Sequence, residues 1–176
     1  HCYQDSHESQ SSSWDFINFT LKQIDEFWKD YKIHLNITGG EPFIHPDFWR
    51  LLELLNQRKK YSCGILSNGS LITEKAATRI QENNVKFVQI SMEGSEEIHD
   101  AVRGKGSFEK AVQGIIALKK ANVDVLLSFT ASRFNYKNFP SVVEIGKKYG
   151  VNRIWADRVI PLGNAGKDIV LGIEET

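Results

Sequence analysis

Apolar and polar positions along this chain follow two periods in turn, and their order predicts an α/β fold. Short apolar runs that stop at Gly, Asn or Ser are typical of buried strands. The predicted strands cover residues 33–37, 62–66, 85–92, 123–130 and 151–160. Stretches with apolar residues three and four positions apart predict helices. These helices cover about 14–31, from 46 onward, 73–83, 107–122 and 139–149.

Five strand–helix alternations predict a parallel sheet with right-handed crossovers. Such a sheet is either open and doubly wound or curved into a whole or partial barrel. Polar residues at the carboxyl ends of the strands favour the barrel, because barrel sites are built at that rim. They are Thr38, Glu41, Ser67, Asn68, Ser91, Glu93, Ser128, Thr130, Asp157 and Arg158. Five strands are too few to close, so we expect an α/β partial TIM-like barrel of (β/α)6 type, with its first strand upstream of residue 1.

Capping residues and aromatic spacing refine the helices. Ser13 and Thr73 are predicted N-caps, and Gly150 is predicted to end the last helix. The aromatic residues of the first helix recur at helical spacing, which predicts that they pack in the core rather than around a cofactor. They are Trp14, Phe16, Phe19, Phe27 and Trp28.

Composition narrows the functional class. The chain has 176 residues, 41% hydrophobic and 25% charged, with zero formal net charge, so we expect a globular domain that binds neither nucleic acid nor membrane. No signal peptide is visible. Cys2 and Cys63 do not form a disulfide framework, which indicates a reducing, cytoplasmic location. Cys63 opens a predicted strand and is expected to be a buried, inert thiol.

The other motifs and the histidines do not indicate a phosphate site or a metal site. The sequence has no GxGxxG after a strand and no P-loop, so phosphate binding by those devices is not expected. His34, inside a strand, is predicted to be a packed histidine. His45 and His99 are placed in loops without partners at metal-ligand spacing, and neither is expected to bind a metal.

The stretch from Ile33 to Pro42 is the most informative in the chain. It is a strand that runs into Gly39-Gly40-Glu41-Pro42. Adjacent glycines let a ligand approach the main chain, and Pro42 biases Glu41 toward an extended backbone. A preset carboxylate beside bare backbone suits an ammonium group that needs several acceptors. By itself the motif is equally compatible with a plain strand-to-helix turn that carries a surface glutamate.

Five motifs in order make the chain resemble the radical S-adenosylmethionine (radical SAM) enzymes, in particular the branch that often carries a C-terminal SPASM domain. The motifs are Gly39-Gly40-Glu41-Pro42, Leu66-Ser67-Asn68-Gly69-Ser70, Ile90-Ser91-Met92-Glu93-Gly94, the run from His99 to Phe108, and Pro161-Leu162-Gly163-Asn164-Ala165. Each motif alone is weak, but five of them at predicted strand ends and loops are specific. The resemblance covers nearly all of residues 1–176.

The resemblance also assigns a role to the first residues. The family's cluster loop has three cysteines spaced C-x3-C-x-Φ-C, and His1-Cys2 fits Φ and the last cysteine. Cys2 would then be one ligand of a [4Fe–4S] cluster, which needs three thiolates. The chain departs from the pattern, since the other two cysteines would lie upstream of His1. We therefore expect that it is part of a longer protein, without the first two cluster cysteines and any C-terminal domain.

For S-adenosylmethionine, the resemblance implies a set of binding residues at the rim. Gly39, Gly40 and Glu41 would take the methionine ammonium, and Arg103 the methionine carboxylate. Ser91 would hold the methionine or ribose, and Glu93 could reach the ribose. Further candidates are His1 and Tyr3 beside the adenine, the main chain near Ile160, and Ser67 and Asn68 at the rim.

The resemblance implies radical chemistry but does not fix the substrate. In the family, the cluster reduces S-adenosylmethionine, and a 5′-deoxyadenosyl radical takes a hydrogen atom from the substrate. A peptide or protein side chain is the expected substrate, with a reductant such as flavodoxin or ferredoxin. One alternative is a sulfatase-maturing type of enzyme that oxidises Cys or Ser. An alternative of another class is a non-catalytic peptide-binding module with a degenerate cluster site.

Overall fold

Five parallel strands form one sheet, in the computed structural model that describes residues 11–161 and 169–172. The strands are β1 (Ile33–Ile37), β2 (Tyr61–Ser67), β3 (Phe87–Ser91), β4 (Val125–Ala131) and β5 (Arg153–Arg158). Their order in the sheet is their order in the chain, and each neighbouring pair is parallel. The sheet curls into a half-barrel with helices, which confirms the predicted α/β partial TIM-like barrel. A further strand upstream of residue 1 stays a prediction.

Six α-helices lie in the described part of the chain. They are α1 (Trp14–Phe27), α2 (Phe48–Gln57), α3 (Glu74–Glu82), α4 (Glu96–Arg103), α5 (Ser107–Lys120) and α6 (Phe139–Tyr149). Both predicted N-caps are confirmed, since Ser13 Oγ accepts the Phe16 N–H and Thr73 Oγ1 accepts the Ala76 N–H, each at 3.2 Å. Gly150 ends α6 in the left-handed conformation, as predicted. None of the helices in residues 11–161 and 169–172 has the length and apolar character needed to cross a bilayer.

Two helix boundaries differ from the prediction, and one helix was not predicted. Helix α1 ends at Phe27 rather than near residue 31. Helix α2 begins at Phe48 rather than at 46, because the ring of His45 accepts the Asp47 N–H at 3.1 Å and holds a turn there. A short 3-10 helix (Pro42–Ile44) precedes that turn. Helix α4 was not predicted at all, since its eight residues are mostly polar.

The two faces of the sheet have different chemistry. Residues in register across the strands share a face, and the outer face packs under the helices. This face carries the core residues of the strands: Cys63, Ile65, Val88, Ile90, Val125, Leu127 and Phe129. Cys63 is 3% exposed, and burial raises the pKa of its thiol to about 11, so the predicted inert thiol is confirmed. The opposite, concave face is open to solvent over much of its area.

The prediction that the aromatic residues of α1 pack in the core is wrong for most of them. Four of them are more than half exposed: Phe16 (59%), Phe19 (60%), Phe27 (72%) and Trp28 (52%). The aliphatic residues Ile17, Leu21 and Ile24 form the stripe of α1 that meets the core instead. The helix thus carries two apolar stripes, and spacing alone did not identify the buried one.

Candidate functional site

The loops after β1, β2 and β3 form a rim at the carboxyl ends of the strands. Gly39 and Gly40 follow β1, and an ideal Cβ at either residue would have no heavy atom within 4 Å. Gly39 has a φ of +152°, in the region that favours glycine. The turn therefore leaves its backbone accessible to a ligand that needs main-chain acceptors.

Glu41 connects the turn after β1 to the end of β2. Its backbone is extended, with φ −128° and ψ 113°, as Pro42 predicts. The Ser67 hydroxyl donates to Glu41 Oε1 at 2.9 Å, and the Asn68 N–H donates to Oε2 at 2.8 Å. The Phe43 N–H is a longer contact, 3.4 Å from Oε1. The structure thus brings together three of the predicted site residues, and their contacts fix the carboxylate at the rim.

Glu93 and Arg103 form a buried ion pair that the sequence did not predict. Glu93 lies just after β3 and is 1% exposed. Arg103, the last residue of α4, donates to Glu93 Oε1 through Nε at 2.9 Å and through Nη2 at 2.6 Å. The resemblance implied that both residues contact S-adenosylmethionine, Glu93 at the ribose and Arg103 at the methionine carboxylate. In the structure, each has the other as a partner.

Asn135 holds the second oxygen of Glu93. This residue is 2% exposed and lies between β4 and the 3-10 helix Tyr136–Asn138. Its amide nitrogen donates to Glu93 Oε2 at 3.2 Å and to the Thr130 carbonyl at 3.0 Å. Sequence reasoning missed Asn135, because an asparagine in a loop is by default a turn residue. The contact joins the carboxyl end of β4 to the end of β3.

His99 lies beneath the ion pair and is neutral at neutral pH. It belongs to α4, so its predicted place in a loop is wrong. Its Nδ1 accepts the Glu93 N–H at 3.2 Å, which assigns the proton of the neutral ring to Nε2. Burial, with a further contribution from the positive charge of Arg103, lowers the pKa of His99 to about 4.

A cationic cavity of about 430 Å³ opens beside the rim. Its lining includes Asn68, Arg103, Lys105 and Lys110 and no acidic residue. The loop that carries Lys105 is held by Asp100, whose carboxylate accepts the N–H groups of Gly106 at 2.6 Å and Phe108 at 2.8 Å. Those two hydrogen bonds hold the pKa of the Asp100 carboxyl below its usual value. The cavity can therefore accept an anionic group.

The concave face contributes a row of side chains below the rim. Ser91, Ser128 and Trp155 are in register on β3, β4 and β5, and Trp155 is 56% exposed. The predicted site residue Ser91 ends β3, and in the described part of the chain its hydroxyl has no hydrogen-bond partner. Ile160 follows β5 and is 64% exposed.

His34 lies on the same face, near the opposite end of β1. Its ring stacks on Phe87 with centroids 5.7 Å apart, and its nitrogens lie 2.9 Å from Ser62 Oγ and 3.2 Å from Asn36 Oδ1. The side chain packs as predicted on one side, yet the residue remains exposed. Within residues 11–161 and 169–172, no group of three His, Cys, Asp or Glu side chains is arranged to hold a metal ion.

The remaining predicted residues lie outside the described part of the chain. They are His1, Cys2 and Tyr3, together with residues 162–165 of the last motif. Their proposed contacts with the cluster and the adenine stay predictions.

Two solved structures share this fold across most of the chain. Streptococcus suis SuiB bound to precursor peptide SuiA superposes with a TM-score of 0.81 at 13% identity, over 97% of this chain and 38% of that one. Native anSMEcpe with bound AdoMet gives a TM-score of 0.74 at 22% identity, over 90% of this chain and 47% of that one. At these identities the likeness establishes the fold alone.

Sequence relatives give a closer comparison. Mycofactocin maturase MftC of Mycobacterium tuberculosis is 33% identical over 157 residues, which is 87% of this chain and 39% of the relative. The AdoMet-dependent heme synthase of Oleidesulfovibrio alaskensis is 32% identical over 132 residues, 74% of this chain and 34% of the relative. The chain thus spans less than two fifths of the length of either relative.

The sequence also matches a known protein family over most of its length. Residues 1–146 match the family described as the Radical SAM superfamily, whose members use S-adenosylmethionine and a [4Fe–4S] cluster. The motifs that follow β1, β2 and β3 fall at strand ends or in loops, whereas the run from His99 to Phe108 begins in α4 and ends in α5. The chain belongs to the Radical SAM superfamily.

Proposed function

We propose that this chain is the S-adenosylmethionine-binding core of a radical SAM enzyme that modifies a peptide. The observation that carries the proposal is the position of Asn68. Its N–H donates to the Glu41 carboxylate, and the residue also lines the cavity that contains Arg103 and Lys110. Asn68 therefore lies between the Glu41 carboxylate, which can accept from an ammonium group, and the cationic cavity, whose Arg103 and Lys110 can donate to a carboxylate. This arrangement is complementary to the zwitterionic methionine end of S-adenosylmethionine.

The described residues fit that end of the cosubstrate. The exposed backbone of Gly39 and Gly40, with the Glu41 carboxylate, supplies acceptors for the ammonium. Arg103 supplies a cation for the carboxylate, and Lys110, which lines the same cavity, supplies a second one that the family resemblance did not imply. Ser91 has a hydroxyl available for the methionine or the ribose.

Glu93 takes a different part in this proposal from the one that the resemblance implied. A contact with the ribose stays a prediction, but its two oxygens face Arg103 and Asn135. These contacts favour a role in holding the Arg103 guanidinium. Cys2 is the proposed cluster ligand, and His1, Tyr3 and the main chain near Ile160 are proposed to surround the adenine.

When bound, the cluster supplies one electron to S-adenosylmethionine, and the radical chemistry that follows belongs to the cosubstrate. The work of this chain is orientation. The Gly39–Glu41 turn and the cationic cavity fix the two ends of the methionine, and the concave face below the rim receives the substrate. Water is excluded only when the open side of the half-barrel is covered by substrate or by other parts of the protein. The reductant is proposed to be a flavodoxin or a ferredoxin.

A peptide is the favoured substrate because relatives with this fold are described with peptides. SuiB was solved with a precursor peptide, and MftC is a maturase. The exposed concave face, with Trp155, has room for an extended chain. A second candidate is a tetrapyrrole substrate, and the observation that favours it is the 32% identity to a heme synthase.

The test uses the complete protein, loaded with its cluster and reduced under anaerobic conditions. We expect methionine and 5′-deoxyadenosine to form slowly from S-adenosylmethionine, and faster with the correct peptide. Mass spectrometry measures both products, and deuterium from the attacked carbon should appear in 5′-deoxyadenosine. Cys2→Ala should abolish the products, whereas the matched control Cys63→Ala should retain them.

Two results would count against this function. Absence of 5′-deoxyadenosine from reduced protein with verified cluster and bound S-adenosylmethionine would favour a non-catalytic peptide-binding module. Stimulation by an iron porphyrin, but by no peptide, would favour the tetrapyrrole substrate. Transfer of deuterium from the side chain of a Cys or Ser in the peptide would identify a sulfatase-maturing type of enzyme.

A further inference from the structure

The orientation of the Asn135 amide is fixed by its neighbours. Its oxygen accepts the Ser132 N–H at 2.7 Å and the Ser132 hydroxyl at 3.0 Å. Its nitrogen donates to the Thr130 carbonyl and to Glu93 Oε2. A backbone N–H can only donate and a carbonyl can only accept, so the amide cannot be reversed without losing both bonds. All four hydrogen-bonding positions of this buried side chain are used.

This fixed amide determines how Glu93 presents its other oxygen. With Oε2 held by Asn135, the carboxylate plane is set, and Oε1 faces the Nε and Nη2 atoms of Arg103. The Glu93 backbone N–H is held separately, by His99 Nδ1. Both the backbone and the carboxylate of Glu93 are therefore constrained. Its side chain connects Asn135, which follows β4, to Arg103 at the end of α4.

We propose that Asn135 is a positioning residue for S-adenosylmethionine: it orients Glu93, which in turn holds the Arg103 guanidinium toward the methionine carboxylate. The inference rests on the proposed function, because Arg103 needs a cosubstrate to bind. Asn135 acts on the cosubstrate only through Glu93 and Arg103. Without the Asn135 side chain, Arg103 should keep its charge near the methionine carboxylate, but its guanidinium should adopt a range of orientations. A two-pronged hydrogen-bonded contact depends on orientation, so it should weaken more than a simple charge–charge attraction.

The first experiment measures S-adenosylmethionine affinity by calorimetry, on the complete, cluster-loaded protein. Asn135→Ala should weaken binding about three- to tenfold. The matched control is Asn83→Ala, which also removes a buried amide, bonded to the Arg79 carbonyl at 2.9 Å at the end of α3. Asn83 lies beside Tyr61 and Ser62 at the beginning of β2, whereas the rim is at the opposite, carboxyl ends of the strands. Both variants should lower the melting temperature, but Asn83→Ala should leave the affinity unchanged.

A second variant gives a signature that a purely structural role would not produce. Asn135→Asp puts a carboxyl group beside Glu93 Oε2, and two carboxyl groups at hydrogen-bond distance share a proton to a higher pH than an isolated one. Near pH 6 the protonated group can donate to Glu93 and restore the link, whereas near pH 8.5 the two carboxylates repel. Among the described residues, the charged or titratable groups that face this pair include Arg103 and His99, with Asp100 beside His99.

The ratio of wild-type to Asn135→Asp affinity should therefore be near one at pH 6 and rise severalfold by pH 8.5. Comparison with wild type at each pH removes the titration of the methionine amino group, which both proteins share. Unchanged affinity in Asn135→Ala would overturn the proposal. If Asn135→Ala does not fold, a constant affinity ratio for Asn135→Asp across this range would overturn it. Failure of the wild-type protein to bind S-adenosylmethionine would instead reject the proposed function.

Discussion

The Glu41 carboxylate at the end of β1 accepts the hydroxyl hydrogen of Ser67 at the end of β2, with 2.9 Å between the oxygens. The same Ser67 oxygen accepts the Gly69 N–H at 2.9 Å. The contact therefore joins two neighbouring rim loops through one buried hydroxyl. It also fixes the carboxylate that we propose as an acceptor for the methionine ammonium.

Removing this carboxylate should cost both stability and binding. Glu41→Ala leaves the Ser67 hydroxyl and the Asn68 N–H without their acceptor, so we expect a loss of about 2–3 kcal/mol in the free energy of unfolding. Affinity for S-adenosylmethionine should fall roughly tenfold to a hundredfold. Urea unfolding and calorimetric titration of the complete protein measure the two effects.

Two further variants, Ser67→Ala and Glu82→Ala, test whether Glu41 is a ligand-binding carboxylate or an ordinary surface glutamate. Ser67→Ala should destabilise by about 1 kcal/mol and affect affinity less, because Glu41 keeps its bond to Asn68. Glu82→Ala, an exposed glutamate on α3, should change neither quantity. If Glu41→Ala behaves like Glu82→Ala, the glutamate is an ordinary surface residue of a strand-to-helix turn.

The ion pair between Glu93 and Arg103 should be much more sensitive to truncation than a surface pair. The Glu93 side chain is only 2% exposed, so Arg103→Ala removes two donors from a carboxylate that water cannot easily reach. We expect a loss of about 3 kcal/mol. The control is Lys120→Ala, which breaks an exposed pair with Glu74 of similar length, 2.7 Å, and should cost far less, because both side chains are exposed to water. Equal losses in the two variants would contradict the importance of burial.

The fold could be predicted from the sequence because its signals are local. Each strand is an apolar run with its own stop signal, and the alternation with helices leaves few topologies. Caps at Ser13 and Thr73 need only the next three residues, so they too were predicted correctly. The polar groups at the rim followed from the same logic, since parallel strands bring all their carboxyl ends to one edge.

The rest could not be predicted, because it depends on contacts between distant segments. Arg103 pairs with Glu93 only because the short helix α4 folds back across the end of β3. Asn135 lies 42 residues from Glu93 in sequence, and no pattern connects them. The prediction that the aromatic stripe of α1 is buried was wrong for a different reason. Helical spacing predicts that a stripe exists, but what covers it depends on the surrounding structure.

Gly64 on β2 should not tolerate a side chain, because Phe87 of β3 occupies the space above it. A Cβ built on Gly64 would lie 2.3 Å from the tip of the Phe87 ring. Gly64→Ala should therefore destabilise the protein by about 1–3 kcal/mol. The double variant Gly64→Ala/Phe87→Leu should recover part of that loss, which a double-mutant cycle measures as a coupling energy.

The matched control for Gly64 is Gly40→Ala, since a Cβ there meets no atom within 4 Å. Its effect on stability should stay within about 0.5 kcal/mol. A Gly64→Ala protein as stable as wild type would mean that the Phe87 ring moves aside at no cost. The stacking of Phe87 on His34 would then not be rigid.

Stability should fall as the pH drops from 7 to 5, because His99 is buried in its neutral form. Its pKa is about 4 in the folded protein and 6.5 when exposed, so between these values the unfolded chain binds more protons. The contribution of His99 is present above pH 6.5 and is lost as the pH falls toward 4, by about 2 kcal/mol between pH 7 and pH 5. Urea unfolding at half-unit pH steps measures the slope. His99→Gln should flatten it, whereas the control His34→Gln, which changes an exposed histidine, should retain it. An unchanged slope in His99→Gln would show that another group titrates in this range.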